Sequence, residues 1–342
     1  MTDYDVVIIG AGPAGCATAI ACAQHGLRVA IVERLSFPRE RPGETLHPGI
    51  EPLLKQLGVM NQVQAGKFIR PFGNWVTWDK ERNFTPFGND ADGAWSGFQI
   101  PRSTLDGFLL AKAIALGVQA LQPCHAKKVL LDNGRVTGVQ TLTGALSCRQ
   151  LVDASGAHGW LTRQLGLGSR CYSPPLTALY GYTSGTVDES ALGIFADRLG
   201  WYWTAQVGRK LYHWTRLYFE HAQICKASAV PSSFEHLTHV GKMQGADVTW
   251  RICEQSAGNG YFIAGDASTV IDPGASHGVL KALMSGMMAA QAVIEGCDNP
   301  TNQQVISLQY QRWIRDWFES DVKRMRELYR AHPFPPPWLE KP

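Results

Sequence analysis

Asp5-Val-Val-Ile-Ile-Gly10-Ala-Gly-Pro-Ala-Gly15 is an apolar, β-branched run that breaks abruptly into glycines. The run from Asp5 to Ile9 predicts a buried parallel strand, because a strand covered on both faces needs no alternation. Gly10 permits a tight turn, Gly12 lets the backbone approach a pyrophosphate, and Gly15 lets the next helix pack close to the strand. Pro13 and Ala14 sit between these glycines. Cys16 to His25 then reads as an Ala-rich helix, with Gly26 placed to cap it. Leu27 to Val32 predicts a second strand, ending in Glu33 with Arg34 beside it. Glu33 falls roughly 20 residues after the glycines, where a carboxylate can accept from ribose hydroxyls. The helix N-terminus offers free N–H groups and a positive dipole end to phosphates. Strand, glycines, helix, strand and acid in this order predict a dinucleotide-binding βαβ unit. The motif alone leaves NAD and FAD both open.

The rest of the chain bounds the reading. It has 342 residues, 45% of them hydrophobic, enough for one large composite domain or two ordinary ones. The net charge of +3, from 32 basic and 29 acidic residues, gives no electrostatic case for nucleic acid. No run of Lys and Arg reads as a membrane-surface patch. Val6 to Ala23 is uncharged, but Asp3 and Asp5 precede it and glycines interrupt it, so it suits strand, turn and helix rather than a targeting or spanning segment. The expectation is a soluble, cytoplasmic protein. Eight cysteines occur without a CxxC pair, which argues against zinc and for reduced, mostly buried thiols.

A second stretch decides the cofactor. Tyr261-Phe-Ile-Ala264 predicts a short strand, followed by Gly265-Asp266, Asp272-Pro273-Gly274, Ser276-His277-Gly278-Val279 and a helix rich in Ala and Met. This resembles the second fingerprint of the flavoprotein monooxygenase superfamily. The resemblance implies FAD, with Asp266 on the ribitol and the helix N-terminus, beyond Pro273 and including Gly278 and Val279, at the pyrimidine end of the flavin. A helix dipole there would stabilise negative charge on reduced flavin. Arg102, with Asp106 and a helix to Leu116, looks like the family's Arg-led helix near the cofactor. Val129 to Leu142 reads as a hairpin about Asp132-Asn-Gly134, and Gln150 to Ala154 as a strand ended by Ser155-Gly156. The resemblance covers roughly residues 1–300.

Three features place the chain nearer the tryptophan-halogenase-like branch. Ser155 stands where hydroxylases that bind NAD(P)H usually carry the Asp of an Asp-Gly pair. Ser276-His-Gly-Val279 resembles the branch's sequence beside the flavin. Arg41-Pro-Gly43-Glu44-Thr-Leu-His47-Pro48 resembles its Gly-Glu loop over the flavin. The branch takes reduced flavin from a separate reductase, so a separate flavin reductase is the implied partner. Halogenases also carry a Trp-x-Trp-x-Ile-Pro segment and a catalytic lysine. Here Trp201 and Trp203 remain, while Ala205 and Gln206 replace Ile and Pro; Lys67 precedes Phe72, Asn74 and Trp75 at a similar spacing. The short chain resembles small halogenase-like flavoproteins, among them maturation enzymes that oxygenate a Trp in the precursor of quinone-cofactor amine oxidases.

Residues 168–250 change texture. Tyr180 to Gly185, Trp201 to Val207 and Leu211 to Phe219 alternate aromatic, Thr and polar residues as sheet strands do. Such a sheet would wall a substrate pocket with Trp201, Trp203 and Trp214. Asn302 to Arg330 reads as an amphipathic helix with Tyr310, Trp313, Trp317, Phe318 and Leu328 on its apolar side, before a Pro-rich end.

The expected fold class is α/β: a discontinuous Rossmann-like FAD-binding domain (1–75, 98–167 and 251–300), a β-sheet substrate domain (76–97 and 168–250) and a C-terminal helical tail (301–342). The expected function is FAD-dependent monooxygenation, in which reduced flavin and O2 hydroxylate an indole or phenol. The aromatic substrate is a small molecule or a Trp side chain of a partner protein during quinone-cofactor biogenesis. The alternatives are halogenation, saturation of a polyprenyl chain, and a flavin-binding partner without turnover. His277 and His47 are the candidate acid–base groups, because imidazole titrates near working pH; Glu44 and Lys67 complete the candidate set.

Overall fold

The strand Tyr4–Ile9 runs parallel to Val29–Val32 on one side and to Ala145–Asp153 on the other, which sets Ile9 level with both Val32 and Asp153. Val6, Val7 and Ile8 have no exposed surface, as the unalternating run requires. The computed structural model describes residues 3–78, 81–91 and 93–340. Gln119–Leu121 continues the parallel sheet beyond Val29–Val32, and Tyr261–Ile263 pairs in parallel with Leu151 to Asp153. The hairpin Ala126–Asp132 and Arg135–Thr141 extends it antiparallel from the first half of Ala145–Asp153. Asn133 and Gly134 take positive φ at the hairpin turn, as the Asp-Asn-Gly sequence predicts.

Four longer helices surround this sheet. They are α1 (Pro13–Gln24), α2 (Arg102–Ala115), α3 (Gly278–Asp298) and α4 (Gln303–Arg330). Helices α1 and α3 pack closely where Gly286 meets α1: a Cβ on Gly286 would lie 2.2 Å from the Ala14 carbonyl oxygen. Gly15 serves the turn before α1 instead, since a Cβ there would lie 1.9 Å from the Gly10 carbonyl oxygen. Thr18 Oγ1 sits 2.9 Å from the carbonyl oxygens of both Ala14 and Gly286, tying the two helices together. The long helix α4 buries Ile306, Tyr310, Ile314, Phe318, Val322, Met325 and Tyr329, one stripe at helical spacing. Leu328, expected on that stripe, is exposed; Tyr329 holds the inward position instead.

A second sheet, antiparallel except at one pairing, meets the loop that follows the first strands through Tyr182 and Glu44. Its order is Thr238–Asp247, Thr177–Ser184, Leu211–Tyr218, Gly200–Gly208, Gly193–Asp197, Gly73–Thr77 and Arg82–Pro86. The two faces divide the aromatic residues. Trp201 and Leu217 join the main core, whereas Tyr212, Trp214 and Tyr218 pack outward against Phe234 and Leu237. The chain is therefore a mixed α/β fold: a nucleotide-binding sheet assembled from three separated stretches, a β-sheet second layer and a C-terminal helix. No described helix is long and apolar enough to cross a membrane. No group of metal-ligating side chains occurs among the described residues. The cysteines are free; Cys171 and Cys225 are exposed and the other six are buried.

Candidate functional site

The N-terminus of α1 has Gly12 as N-cap, no side-chain cap and no acid in its first turn. Its N–H groups at the Gly12–Gly15 turn thus keep their capacity for an anion. Glu33 is 6% exposed and holds this turn: Oε2 accepts from Ala11 N at 2.8 Å and Oε1 from Leu35 N at 3.0 Å. Arg34 is exposed beside it. Two guanidinium groups stand in front of the turn. Arg102 is bidentate on Asp106, at 3.0 and 3.1 Å, and donates to the Pro42 carbonyl at 3.0 Å. Arg39 reaches the same carboxylate at 3.4 Å, and its Nη2 lies 3.6 Å from where a Gly12 Cβ would be. Asp106 has no exposed surface, so the two cations hold an otherwise costly buried charge. Arg41 is half-buried, and burial, then Arg39 and Arg34, hold its pKa down.

At the second contact, Gly265 N donates to Ser285 Oγ at 2.9 Å and φ of Gly265 is 62°. The Asp266 side chain is exposed. Burial raises its pKa, and the charges of Lys281, Arg102 and Arg251 oppose that rise. Helix α3 also begins with no side-chain cap and no acid in its first turn. A Cβ on Gly278 would meet nothing within 4 Å, so this helix end is open, with Val279 just inside it. Pro273 and Gly274 form the turn before it, held by Asp272 Oδ1, which accepts from Gly274 N at 2.9 Å.

These donors and acceptors fit FAD. The Gly12–Gly15 amides, Arg39 and Arg102 are of the right kind for a pyrophosphate, and the buried Arg39 Nε has no partner of its own. Asp266 is an acceptor suited to ribityl hydroxyls. The open end of α3 suits the electron-rich pyrimidine edge of a flavin.

The loop carrying Gly43, Glu44 and His47 closes the other side. Gly43 has φ 106°, and a Cβ there would lie 3.3 Å from Arg102 Nη1 and 3.8 Å from Val279 Cγ2. Glu44 is 3% exposed and points into the second sheet. Its Oε1 accepts from the Tyr182 hydroxyl, and its Oε2 accepts from Gly43 N at 3.0 Å. His213 Nδ1 stands 3.7 Å from the same Oε2, and neither ring nitrogen of His213 has a hydrogen-bond partner. Trp203 meets the His213 ring edge-on at 5.4 Å. Burial lowers the His213 pKa, with Glu44 opposing.

His47 and His277 come together, with ring centroids 5.0 Å apart, and Phe87 lies 5.7 Å from His47. Burial lowers the pKa of both, and each His47 charge would further disfavour one on His277. Both imidazoles are thus neutral at neutral pH. His47 Nδ1 accepts from Gly49 N at 3.0 Å, which leaves Nε2 as its proton-bearing nitrogen.

Other expected site residues lie elsewhere. Lys67 is exposed, at φ 48°, on the loop after the short helix Met60–Ala65. Trp214 is 1% exposed on the far face of the second sheet, so it does not line the cleft. Strand parity puts it there: Trp214 and its neighbour His213 point to opposite faces. Trp201 faces the cleft side but is 4% exposed, with its Nε1 bound to Tyr329. Ser155 Oγ accepts from Trp160 N at 2.9 Å, at the start of the short helix Trp160–Leu165. The sequence reading passed over Arg39, Tyr182, His213 and Lys281. Lys281 is buried in the first turn of α3, where its Nζ donates to Asp321 Oδ2 at 3.0 Å. The glycine fingerprint points to Arg39 only through folding, and period-2 alternation does not say which face of a strand meets the cleft.

Comparison with known proteins agrees with this geometry. A family model described as FAD binding domain matches residues 3–177, half of the chain. The 1H-pyrrole-2-carbonyl-[peptidyl-carrier protein] brominase of Pseudoalteromonas luteoviolacea is 29% identical over 86% of this chain and 78% of its own length. The tryptophan 2-halogenase of Chondromyces crocatus is 26% identical over 84% of this chain, which spans 60% of that enzyme. The structure of the flavin-dependent brominase Bmp2 superposes with a TM-score of 0.86 over 99% of this chain and 90% of that one, at 24% identity, a likeness of fold.

Proposed function

The chain belongs to the FAD binding domain family, with FAD as its cofactor, and from that premise we propose that it is a flavin-dependent halogenase of electron-rich aromatic rings. The observation that carries this reading is the kinship over most of the chain with a pyrrole brominase and a tryptophan 2-halogenase. That kinship supports halogenation over the aromatic hydroxylation that the sequence favours. It lends no support to oxygenation of a Trp in an amine-oxidase precursor.

Bound FAD, once reduced, supplies the oxygen activation that makes an electrophilic halogen. The protein's residues do the rest. With FAD bound, Arg39, Arg102 and the open end of α1 would hold the pyrophosphate, and Asp266 would orient the ribityl chain. The Gly43–Glu44 turn closes the cleft and keeps water out. Neutral His47 and His277 hold a proton at Nε2 of His47 and one nitrogen of His277, and are the groups to take up or deliver a proton at the substrate. Trp203 is the aromatic wall on the substrate side. Within this reading Lys67 is the lysine to test; its support is its place in the sequence, because it stands exposed on its loop. Reducing equivalents come from a separate reductase, a reading supported by Ser155 in the position of the usual Asp.

The test is turnover with a flavin reductase, NADH, O2 and bromide or chloride on indole, phenol and pyrrole substrates, read by mass spectrometry. A halide-dependent product with the halogen isotope pattern is expected, and Lys67→Ala should remove it while sparing FAD. A product that gains one oxygen whether or not halide is present would replace halogenation by hydroxylation.

A further inference from the structure

Trp201 stands against the turn that leads into α3: its Cζ2 is 3.5 Å from where a Gly274 Cβ would lie. Its indole is buried and donates from Nε1 to the Tyr329 hydroxyl at 2.9 Å. Tyr329, on α4 and wholly buried, donates in turn to Asp272 Oδ2 at 2.8 Å. The same oxygen accepts from Trp250 Nε1 at 2.6 Å. The Trp250 ring is tilted over Tyr329 at 5.7 Å between centroids and meets Trp338 edge-on at 5.4 Å. Trp338 is only partly buried, in the C-terminal turn Pro337–Glu340. Four oxidisable rings thus run without a break from the cleft side of the second sheet to the surface.

Packing explains the aromatic bulk but not the polar centre. A carboxylate with 1% exposure sits among these rings and accepts from Tyr329, Trp250 and Gly274. A buried acid there is costly where an amide or an apolar residue would serve packing as well. A phenol that gives up an electron must also shed its proton, and Asp272 is hydrogen-bonded to the Tyr329 hydroxyl. Burial pushes the Asp272 pKa up to about 6, which makes it a ready proton acceptor.

We propose that Trp201, Tyr329, Trp250 and Trp338 form a one-electron relay that carries oxidising equivalents from the flavin cleft to the surface, with Asp272 taking the Tyr329 proton. The oxidant is an oxygen-centred radical formed from O2 in the cleft, which takes one electron and one solvent proton to become a closed-shell hydroxyl compound, and the final reductant is a thiol at the surface, left as a thiyl radical. Trp201 gives one electron to the oxidant and is refilled by Tyr329, whose phenol proton moves to Asp272 Oδ2. Trp250 then returns an electron to Tyr329, the proton moves back, and Trp338 refills Trp250. The thiol gives Trp338 one electron and releases its own proton. No bond between heavy atoms changes.

The test uses the FAD-loaded protein without oxygen, excited by a blue flash so that the oxidised flavin itself draws the electron. Transient absorption and freeze-trapped electron paramagnetic resonance read amino-acid radicals. The native protein should show a long-lived tryptophan radical that dithiothreitol quenches. Trp338→Phe should abolish both the long lifetime and the quenching, Tyr329→Phe should abolish the long lifetime, and Trp95→Phe, off the chain, should change neither. If Tyr329→Phe loses its flavin, Trp338→Phe decides alone, provided its flavin spectrum and melting match the native protein. No amino-acid radical in the native protein, or one that survives unchanged in Trp338→Phe, overturns the relay.

Discussion

Tyr182 donates its hydroxyl to Glu44 across the seam between the second sheet and the loop that closes the cleft. The bond joins two parts of the chain that the sequence separates widely, and Glu44 is nearly fully buried when it accepts. A hydrogen bond to a buried charged group is worth about 1.5–3 kcal/mol. Glu44→Ala should lower the unfolding free energy by roughly that amount, and Glu44→Gln by less, because the amide oxygen still accepts. A double-mutant cycle with Tyr182→Phe in urea should give a coupling of about 0.5–3 kcal/mol. A coupling of zero would mean that the two side chains do not act as a latch.

His47, His277 and His213 all have pKa values lowered by burial from the free value of 6.5. The sign of the consequence follows from proton binding. Just below pH 6.5 the unfolded chain takes up protons that the folded one resists, so stability falls as pH drops through that value. Above pH 7 these groups contribute no slope. The melting temperature should therefore decline on the acid side, and His213→Phe should flatten the decline most, since His213 is the most enclosed. A melting profile unchanged by that variant would contradict the assignment.

Catalysis should separate the two facing histidines from their neighbours. His277→Asn should lower turnover by on the order of 100-fold, the usual scale for loss of a positioned acid–base group. It should retain FAD, because the groups proposed to hold the cofactor are the donors of Arg39, Arg102 and the glycine turn and the acceptor Asp266. Loss of flavin from the purified variant would instead make His277 a structural residue of the α3 turn.

Asp272 works in the opposite direction from the histidines. Its folded-state pKa is raised from 3.8 to about 6, so the folded protein binds the proton more tightly than the unfolded one between those values. Stability should fall as pH rises through that window, by up to about 3 kcal/mol. Asp272→Asn removes the titration and should flatten this part of the profile, whatever its effect on the overall level. Melting temperature against pH, native beside variant, is the measurement.

Gly286 tests the helix contact under the cofactor. A Cβ there would lie 2.2 Å from the Ala14 carbonyl oxygen, and backbone on both sides leaves little to give. Gly286→Ala should cost about 1–3 kcal/mol by overpacking. It should also weaken FAD retention, because Ala14 lies in the glycine turn proposed to bind the pyrophosphate. A variant with native melting and full flavin would show that α1 and α3 can separate without harm.

By itself the sequence determined the nucleotide-binding core. Asp5 to Glu33 is one continuous stretch whose strand, turn and helix signals act over a few residues, and such local rules survive folding unchanged. Gly265-Asp266 and Gly278 were legible for the same reason: glycines and a helix start announce a backbone shape. The tertiary structure alone decided what faces the cleft. Asp106 gained a second guanidinium from Arg39, 67 positions away in the chain, only when α2 was laid against α1. Trp214 and His213 are neighbours in sequence, yet the pleat sends one outward and the other to Glu44, and alternation carries no label for inside. Trp201, expected as a substrate wall, has its N–H group bound by Tyr329 at the far end of α4. Contacts of this kind depend on which elements close over one another, and no short window of sequence contains both partners.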